Sequence, residues 1–597
     1  MELRQDIQIL RGLAVTFVVL FHLQITGISS GFLGVDIFFV VSGFLMAILY
    51  KDGKPKQFFE RRARRLLPAY FTTVIFTLII SFFIVLPSES SQVIKQSLYS
   101  MFFENNFGFW MQNSYFSKSD FNPLLHLWSL GVEIQFYLIV PLLVWFFRKS
   151  KILLPLCLLA SFSACIFFLG ISPKTSFFMM PFRIWEFLIG FIVAYYFSIN
   201  GSIKYKKYSY IGLISLLFLF ATPFLHIDGE SLNRIFGHPG FYALFACVFT
   251  AITIAFGLPK YITNSVLGQI LEKLGNYSYS IYLVHFPIIV IYLYEPFSGT
   301  NLHPKSGLDI IILLLLITIM SVIMHNFIEK KNVKNIFKLY ATSFISLLIL
   351  TGATKISPKI IYSDYEQNIF NGLDDRSAYR CGKLFRITHP KDLSCKLNEK
   401  TFNNSVLLVG NSHADAIKQE FSRIAEQNNF NTYFIASNTP LMDSQITPKM
   451  VLNEAKKYNI KHIVLHYAYN TLAASKIIEV SNLAKEQGIK ISYISPVPVY
   501  NDMVPKIVFE SGKTTMNNKN DFIKNNHQFL TELSLYSSTN SLFDLYSVEK
   551  VMCPSSCLIA DTKGHPYYFD TNHLTLTGAR LLTPVFEEIF KNNSKEL

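Results

Sequence analysis

The sequence predicts a two-part chain: a multi-span α-helical membrane domain of about 11 transmembrane helices, followed by an extracytoplasmic α/β domain with a parallel sheet. Three observations predict it. Hydrophobic residues make up 51% of the 597 and charged residues only 16%, against roughly 25% charged in ordinary globular chains. The apolar excess lies before about residue 352, and the remainder has a soluble composition. From 401 onward, short apolar runs alternate with helix-patterned stretches. A single cytosolic globule, a disordered chain and a collagen-like chain are excluded. The net charge of +14 does not point to nucleic acid, and no such partner is expected, because the basic residues sit in short loops between apolar runs.

A spanning helix needs about 20 mostly apolar residues. Runs near 7–26, 33–50, 69–87, 124–147, 152–170, 178–199, 210–226, 240–257, 277–296, 308–328 and 336–352 meet that requirement. With the N-terminus in the cytoplasm, the inner loops hold nineteen Lys and Arg: Lys51 to Arg65, Arg148 to Lys151, Lys204 to Lys207, Lys260 and Lys273, and Lys330 to Lys338. The outer loops hold five: Lys95, Lys118, Lys174, Arg234 and Lys305. The alternation never fails, so the N-terminus is expected inside, and an odd number of spans puts everything after about 353 outside. No small-residue cleavage site separates the first two runs, so no signal peptide is expected to be removed. The lipid bilayer is the first expected partner.

Ionisable groups inside spans are costly and are functional candidates. Arg11 and His22 share the first run, eleven residues apart, on nearly one helix face and about 16 Å apart along the axis. The fourth run carries His126, Ser129 and Glu133 on one face. The sixth holds Arg183 and Glu186, spaced to pair, while Asp36 lies in the second and His285 in the ninth. A structural ion pair accounts for any one of these, but their number reads as a buried polar reaction chamber. The loop FFERRARRLLPAY adds Arg61, Arg62, Arg64 and Arg65. It is either plain positive-inside signalling or a site for a phosphorylated donor, which Arg grips in bidentate fashion.

The Arg11-to-His22 stretch, GFLGVDIFFVVSGFLM, RRARRLLP, HLWSLGVEIQFY, RIWEFLIG and YSYSIYLVHFPI occur in an order that resembles the acyltransferase-3 family of integral-membrane O-acyltransferases. The resemblance covers roughly residues 1–330 and gives a membrane domain over 1–352. It implies transfer of an acyl group, usually acetyl from cytoplasmic acetyl-CoA, to hydroxyls of extracytoplasmic glycans. It makes His22 the essential histidine and Arg11 its motif partner, and puts Arg62 and Arg65 on the donor side and Glu133 in the HxWSLxxE-type motif. No metal is expected. A sugar hydroxyl needs a general base, and His suits that role near neutral pH; whether His22 acts as base or carries the acyl group is open.

Residues 353–400 are polar and read as an extracytoplasmic linker or extension, with the last domain over 401–597. There, strand-like runs at 405–412, 432–437, 462–469 and 490–497 alternate with helical stretches near 449–458 and 474–488, which argues a helix-covered parallel sheet. Cys381, Cys395, Cys553 and Cys557 fall in the outer part. An oxidising compartment favours two disulfides, Cys381–Cys395 and Cys553–Cys557 being the simplest pairing; four free thiols is the alternative, and the spacing disfavours zinc.

Gly410-Asn411-Ser412-His413 places a hydroxyl at a strand-to-helix turn, where developing negative charge is favoured. Near the end, Asp570 stands three residues before His573, spaced to orient the imidazole, which completes a nucleophile–base–orienter set. These two ends resemble the SGNH hydrolase and transferase superfamily, making Ser412 nucleophile, His573 base and Asp570 orienter. Asn411 stands where that superfamily has Asp, and no second-block Gly or third-block motif is evident; Asn470 is the nearest substitute. The fused architecture resembles bacterial O-antigen and peptidoglycan O-acetyltransferases.

The expected function is therefore O-acetyl transfer from cytoplasmic acetyl-CoA, across a bacterial inner (cytoplasmic) membrane, to a lipid-linked or surface polysaccharide such as lipopolysaccharide O-antigen. Three rivals stand beside it. A transporter with a hydrolytic appendage should show inverted repeats, and none is visible. An SGNH esterase that trims acetyl groups would use the same triad. A glycan-docking module would leave Ser412 unreactive.

Overall fold

The computed structural model describes residues 4–50, 54–112, 120–150, 152–199, 202–203, 206–228, 231, 233–331, 333, 335–382, 385–389, 391–443 and 445–593. Lys51, Lys118, Lys151, Lys204 and Lys334 of the charge count lie outside them. The chain divides into two compact units, Met1–Lys355 and Ile356–Leu597.

The first unit is helical. Among the described residues, six helices are long and apolar enough to cross a membrane: Gly31–Leu49, Pro55–Ile84, Leu127–Lys149, Val266–Tyr292, Gly307–Glu329 and Ile336–Ile361. Four shorter apolar helices accompany them, at Leu153–Leu169, Ile184–Phe197, Ser209–Phe224 and Phe241–Phe256. Only 6% of the apolar window of Ile336–Ile361 is buried within the protein, and Phe83, Phe337 and Ile360 are 77–79% exposed. Such large exposed apolar faces require a non-aqueous surround.

At the centre, helix α1 (Gln5–His22) packs along helix α6 (Val266–Tyr292), flanked by α2 (Gly34–Leu49), α3 (Pro55–Ile84), α4 (Leu127–Lys149) and α5 (Ile184–Ile192). A Cβ on Gly275 of α6 would stand 1.9 Å from the carbonyl oxygen of Gln8 in α1. That contact is backbone against backbone, the small-residue packing that serves helices in lipid.

Two elements depart from the sequence reading. The arginine stretch expected as a loop is helical, because α3 begins at Pro55 and runs unbroken into the apolar segment. Pro at the first helical position, followed by Gln, Glu, Arg, Ala and Leu, favours that extension. The run at 178–199, expected as one span, is broken around Met180–Phe182 before α5 resumes, since Pro181 supplies no N–H for a continuous helix. Helices at Pro87–Met101 and Asn105–Met111 were not anticipated.

The second unit is built on a six-stranded sheet of strands β1 (Ser394–Lys396), β2 (Asn404–Gly410), β3 (Phe430–Ile435), β4 (His462–His466), β5 (Lys490–Ile494) and β6 (Phe543–Tyr546), in the order β1-β3-β2-β4-β5-β6. Strands β2 to β6 pair in parallel, but β1 pairs antiparallel with β3, so the sheet is mixed rather than parallel throughout. Strand β1 comes from the stretch read as a linker. Its three residues are too few to give a periodic signal, and Cys395 within it is bonded to Cys381. The second disulfide is Cys553–Cys557.

Candidate functional site

In the first unit, helical spacing gathers the candidate residues around two cavities. Arg62 and Arg65 stand three apart on α3 and therefore share a face. Both line a cavity of about 80 Å³ with Arg11, Glu133, Ser129, Ser42, Tyr137 and Tyr282. One Glu133 carboxylate oxygen accepts from Ser42 and from Tyr137, each closely. Arg11 donates to the Gln8 side chain at 2.9 Å. Arg61 and Arg64 point elsewhere, to the backbone carbonyls of Gln57 and Val333. Three guanidinium groups converging on one cavity make a donor set suited to a phosphate-bearing molecule.

His22 is absent from that cavity. It lines a second one with His126 and His238, and Val35 and Tyr282 belong to the walls of both. His285 Nδ1 lies 2.7 Å from the carbonyl oxygen of Tyr282, which can only accept. With neutral rings, Nδ1 therefore carries the proton and Nε2 of His285 presents a lone pair. His22 Nδ1, 3.1 Å away, then donates to it, which leaves the lone pair of His22 on Nε2. The Tyr282 hydroxyl donates to the His126 carbonyl at 2.9 Å and contacts the Ser129 hydroxyl at 2.5 Å.

Arg183 and Glu186 pair as their spacing suggests, but Asp36 completes the set: Arg183 lies 3.0 Å from Asp36 and 2.7 Å from Glu186, all fully buried. Asp36, Glu186 and Cys247 bring ligand atoms within 4.8 Å of one another. Arg183 already supplies the positive charge there, so this cluster reads as a structural knot near His22.

In the second unit, β2 runs into helix α7 (Ser412–Gln427) with Asn411 as its cap; the Asn411 side chain accepts from the N–H groups of His413 at 3.1 Å and Ala468 at 3.3 Å. The residue that departs from the expected Asp thus does local structural work. A Cβ on Gly410 would stand 1.9 Å from the His466 carbonyl oxygen, so only glycine fits the turn. Ser412 Oγ lies 2.7 Å from His573 Nε2, and His573 Nδ1 lies 2.6 Å from Asp570 Oδ2. Asp570 Oδ1 accepts the N–H groups of Asn572 and His573. Burial pushes the Asp570 carboxyl up, but these partners outweigh it and hold it below the usual carboxylate range. His413, whose ring centroid lies 4.8 Å from that of His573, is kept neutral by burial, which lowers its pKa. Asn470 does not join this group: it is exposed in a left-handed turn at φ 55, and its side chain makes no hydrogen bond among the described residues.

Several partners escaped sequence reasoning. Tyr137 stands four residues after Glu133 on α4, a spacing that could have found it; Ser42 lies 91 residues away and gave no signal. Buried Arg380 donates to the Gly410 carbonyl at 3.0 Å, clamping the nucleophile turn. Asp375 accepts the N–H groups of Leu576 and Thr577, just beyond His573. Phe569 stacks on the His573 ring at 5.5 Å, and the Arg376 guanidinium lies 5.2 Å from the Phe569 ring centroid. Residues 375–380 therefore support the site, whereas the sequence reading placed them in a linker.

Comparison with known proteins follows this geometry. The acyltransferase-3 family model, described as an acyltransferase domain, matches residues 4–326, more than half of the chain. The chain belongs to this family. A second model, described as an SGNH domain fused to such acyltransferase-3 domains, matches residues 380–588 of this family member. Similar proteins include the O-acetyltransferase OatA of Staphylococcus aureus (strain NCTC 8325 / PS 47), 30% identical over 56% of this chain and 57% of that protein. The peptidoglycan O-acetyltransferase OatA of Listeria monocytogenes serovar 1/2a is 33% identical over 47% and 49% respectively. The acyltransferase-3 chain thus spans about half the length of these relatives. A solved structure of the periplasmic domain of a Salmonella ser. Paratyphi A lipopolysaccharide acetyltransferase is 20% identical, with a TM-score of 0.25, over 32% of this chain and 85% of that one.

Proposed function

We propose that this acyltransferase-3 protein is a membrane-bound O-acetyltransferase that moves acetyl from cytoplasmic acetyl-CoA to hydroxyls of a cell-surface glycan, lipopolysaccharide O-antigen or peptidoglycan, in a bacterial inner membrane. The observation that carries the reading is the hydrogen-bonded chain Ser412–His573–Asp570, complete on one face of the second unit. Its similarity to proteins named as O-acetyltransferases supports the reaction class. The two disulfides suit an oxidising compartment.

On the donor side, Arg11, Arg62 and Arg65 hold the phosphates of the donor, which supplies the activated acetyl group. His22, through its Nε2 lone pair, takes the proton of the accepting group as that group attacks the acetyl carbon, and gives it to the departing sulfur as the thioester bond breaks. In the second unit, Ser412 Oγ attacks the acetyl carbonyl carbon while His573 Nε2 takes its proton. The bond to the leaving group then breaks, and that group departs with the proton. A sugar hydroxyl next attacks the acyl-Ser412 carbon. His573 takes the hydroxyl proton and returns it to Ser412 as the ester bond to the enzyme breaks. Asp570 remains ionised throughout and stabilises the imidazolium. The Ser412 N–H at the head of α7 faces the developing oxyanion.

The test is mass spectrometry of surface glycan from cells carrying single variants. Ser412→Ala and His22→Ala are each expected to remove the mass of one acetyl group per modified residue. If Ser412→Ala left acetylation intact while His22→Ala abolished it, the second unit would be accessory and the relay wrong.

A further inference from the structure

The second unit contains a larger cleft that the reaction above does not use. It is an open cleft of about 530 Å³, lined by Tyr469, Tyr500, Asn518, Asp521, Asn525 and Asn526, among others. Its two walls are tied to the two loops that carry the serine triad. The Tyr500 N–H donates to the Thr571 carbonyl at 2.9 Å, and the Val504 N–H to the Asp570 carbonyl at 3.2 Å. On the other wall, the turn that follows Tyr469 places the Thr471 hydroxyl 3.2 Å from Asn411 Nδ2, beside the nucleophile.

The lining has a definite chemistry. The exposed Tyr469 offers an apolar ring, while Asn501, Asp502, Asn518, Asp521 and Asn525 offer amide and carboxylate groups for hydrogen bonds. Asn526 is only 3% exposed; its Nδ2 donates to the Phe522 carbonyl at 2.9 Å, but its Oδ1 has no partner among the described residues. A buried amide oxygen without a donor is unfavourable, and it marks this wall as polar beneath its surface. The charged lining residues, Asp502 and Asp521, are both acidic, with Asp502 paired to Lys506 at 2.9 Å. Pyranose rings present C–H faces for stacking and hydroxyls for amide and carboxylate acceptors, whereas a phosphorylated or uronic glycan would meet like charge.

We propose that this cleft is the acceptor subsite, that it takes an uncharged saccharide chain, and that it delivers a hydroxyl of that chain to acyl-Ser412. The proposal rests on Ser412 acting as the acyl carrier. Its chemistry balances as before: the sugar oxygen bonds to the acyl carbon, the Ser412 ester bond breaks, and the hydroxyl proton passes through His573 to Ser412.

The test uses the full-length protein in detergent, carrying Ser412→Ala so that binding is read without turnover. Calorimetric titration compares a tetramer of N-acetylglucosamine and a tetramer of glucose with a tetramer of galacturonic acid. At least one neutral tetramer is expected to bind, and the uronate at least tenfold more weakly. Asp521→Ala and Asn525→Ala should each weaken neutral binding about tenfold, with partial recovery in Asp521→Asn. Neutral binding that ignores these substitutions, its absence for both neutral tetramers, or uronate binding of equal strength would overturn the subsite. Saccharide binding in a protein with unmodified Ser412 that still transfers no acetyl would instead remove the reading of Ser412 and leave the subsite standing.

Discussion

Asp570 accepts two backbone N–H groups through one oxygen and the His573 Nδ1–H through the other, so the loop itself chooses the tautomer that leaves Nε2 facing Ser412. Asp570→Asn keeps the shape but can present its amide N–H to Nδ1, which favours the wrong tautomer. Transfer is expected to fall by about 10⁴-fold, read as acetyl release from a small ester. The carboxylate also shapes stability. Burial raises its pKa, the hydrogen bonds to His573 and the backbone prevail, and the folded value lies below the ordinary 3.8. A group depressed on folding stabilises above its unfolded pKa and loses that contribution as pH falls through the folded value. The melting difference between wild type and Asp570→Asn should therefore be flat from neutrality down to about pH 5 and shrink only in strong acid, below 3.8. A difference that vanished already at pH 5.5 would show that the pairing is weaker than the geometry indicates.

At the scale of elements, the decisive packing is α1 against α6, where Gly275 meets the Gln8 carbonyl. Gly275→Ala forces the helices apart, and because Gln8 also binds Arg11 and Asn276, the shift reaches the arginine cavity. Overpacking costs about 1–3 kcal/mol where side chains can adjust; here the obstacle is backbone, so a loss at or above that range is expected, seen as a lower melting temperature in detergent. An unchanged melt would mean that α1 tolerates displacement. The same scale explains what the sequence could convey. Apolar runs locate helices because lipid-facing and buried surfaces are both apolar, and β2 to β5 are visible as short apolar runs. The arginine segment misled because polarity was read as loop, although Arg, Glu and Ala are good helix formers. Strand β1 and the clamp of Arg380 on Gly410 are invisible to local pattern, since their partners lie 30 or more residues away. The triad was legible because Asp570 and His573 share one turn and Ser412 heads a helix, whereas His285 gained its role only when folding set it against His22.

For the whole molecule, the charge count and the cysteine chemistry point the same way. With eleven spans as the sequence predicts, nineteen Lys and Arg fall between or at the ends of the apolar runs on one side and five on the other, a bias that retains the richer set in the cytoplasm. Three cysteines in the helical unit remain thiols, while the four in the second unit are paired in disulfides, and disulfides persist where the medium is oxidising. Each argument is independent of the other: one concerns lipid insertion, the other redox chemistry. Together they predict that the second unit, Ile356–Leu597, is exposed outside the cytoplasm. Protease added to intact spheroplasts should digest it while leaving the loop around Lys206 and Lys207 uncut, and detergent should make both accessible. Thiol alkylation before and after reduction should then find the four outer cysteines protected until reductant is added. If the second unit resisted protease until the membrane was opened, the acyl carrier and the donor would share one compartment. A transfer across the bilayer would then be unnecessary, and the arginine-lined cavity would need another purpose.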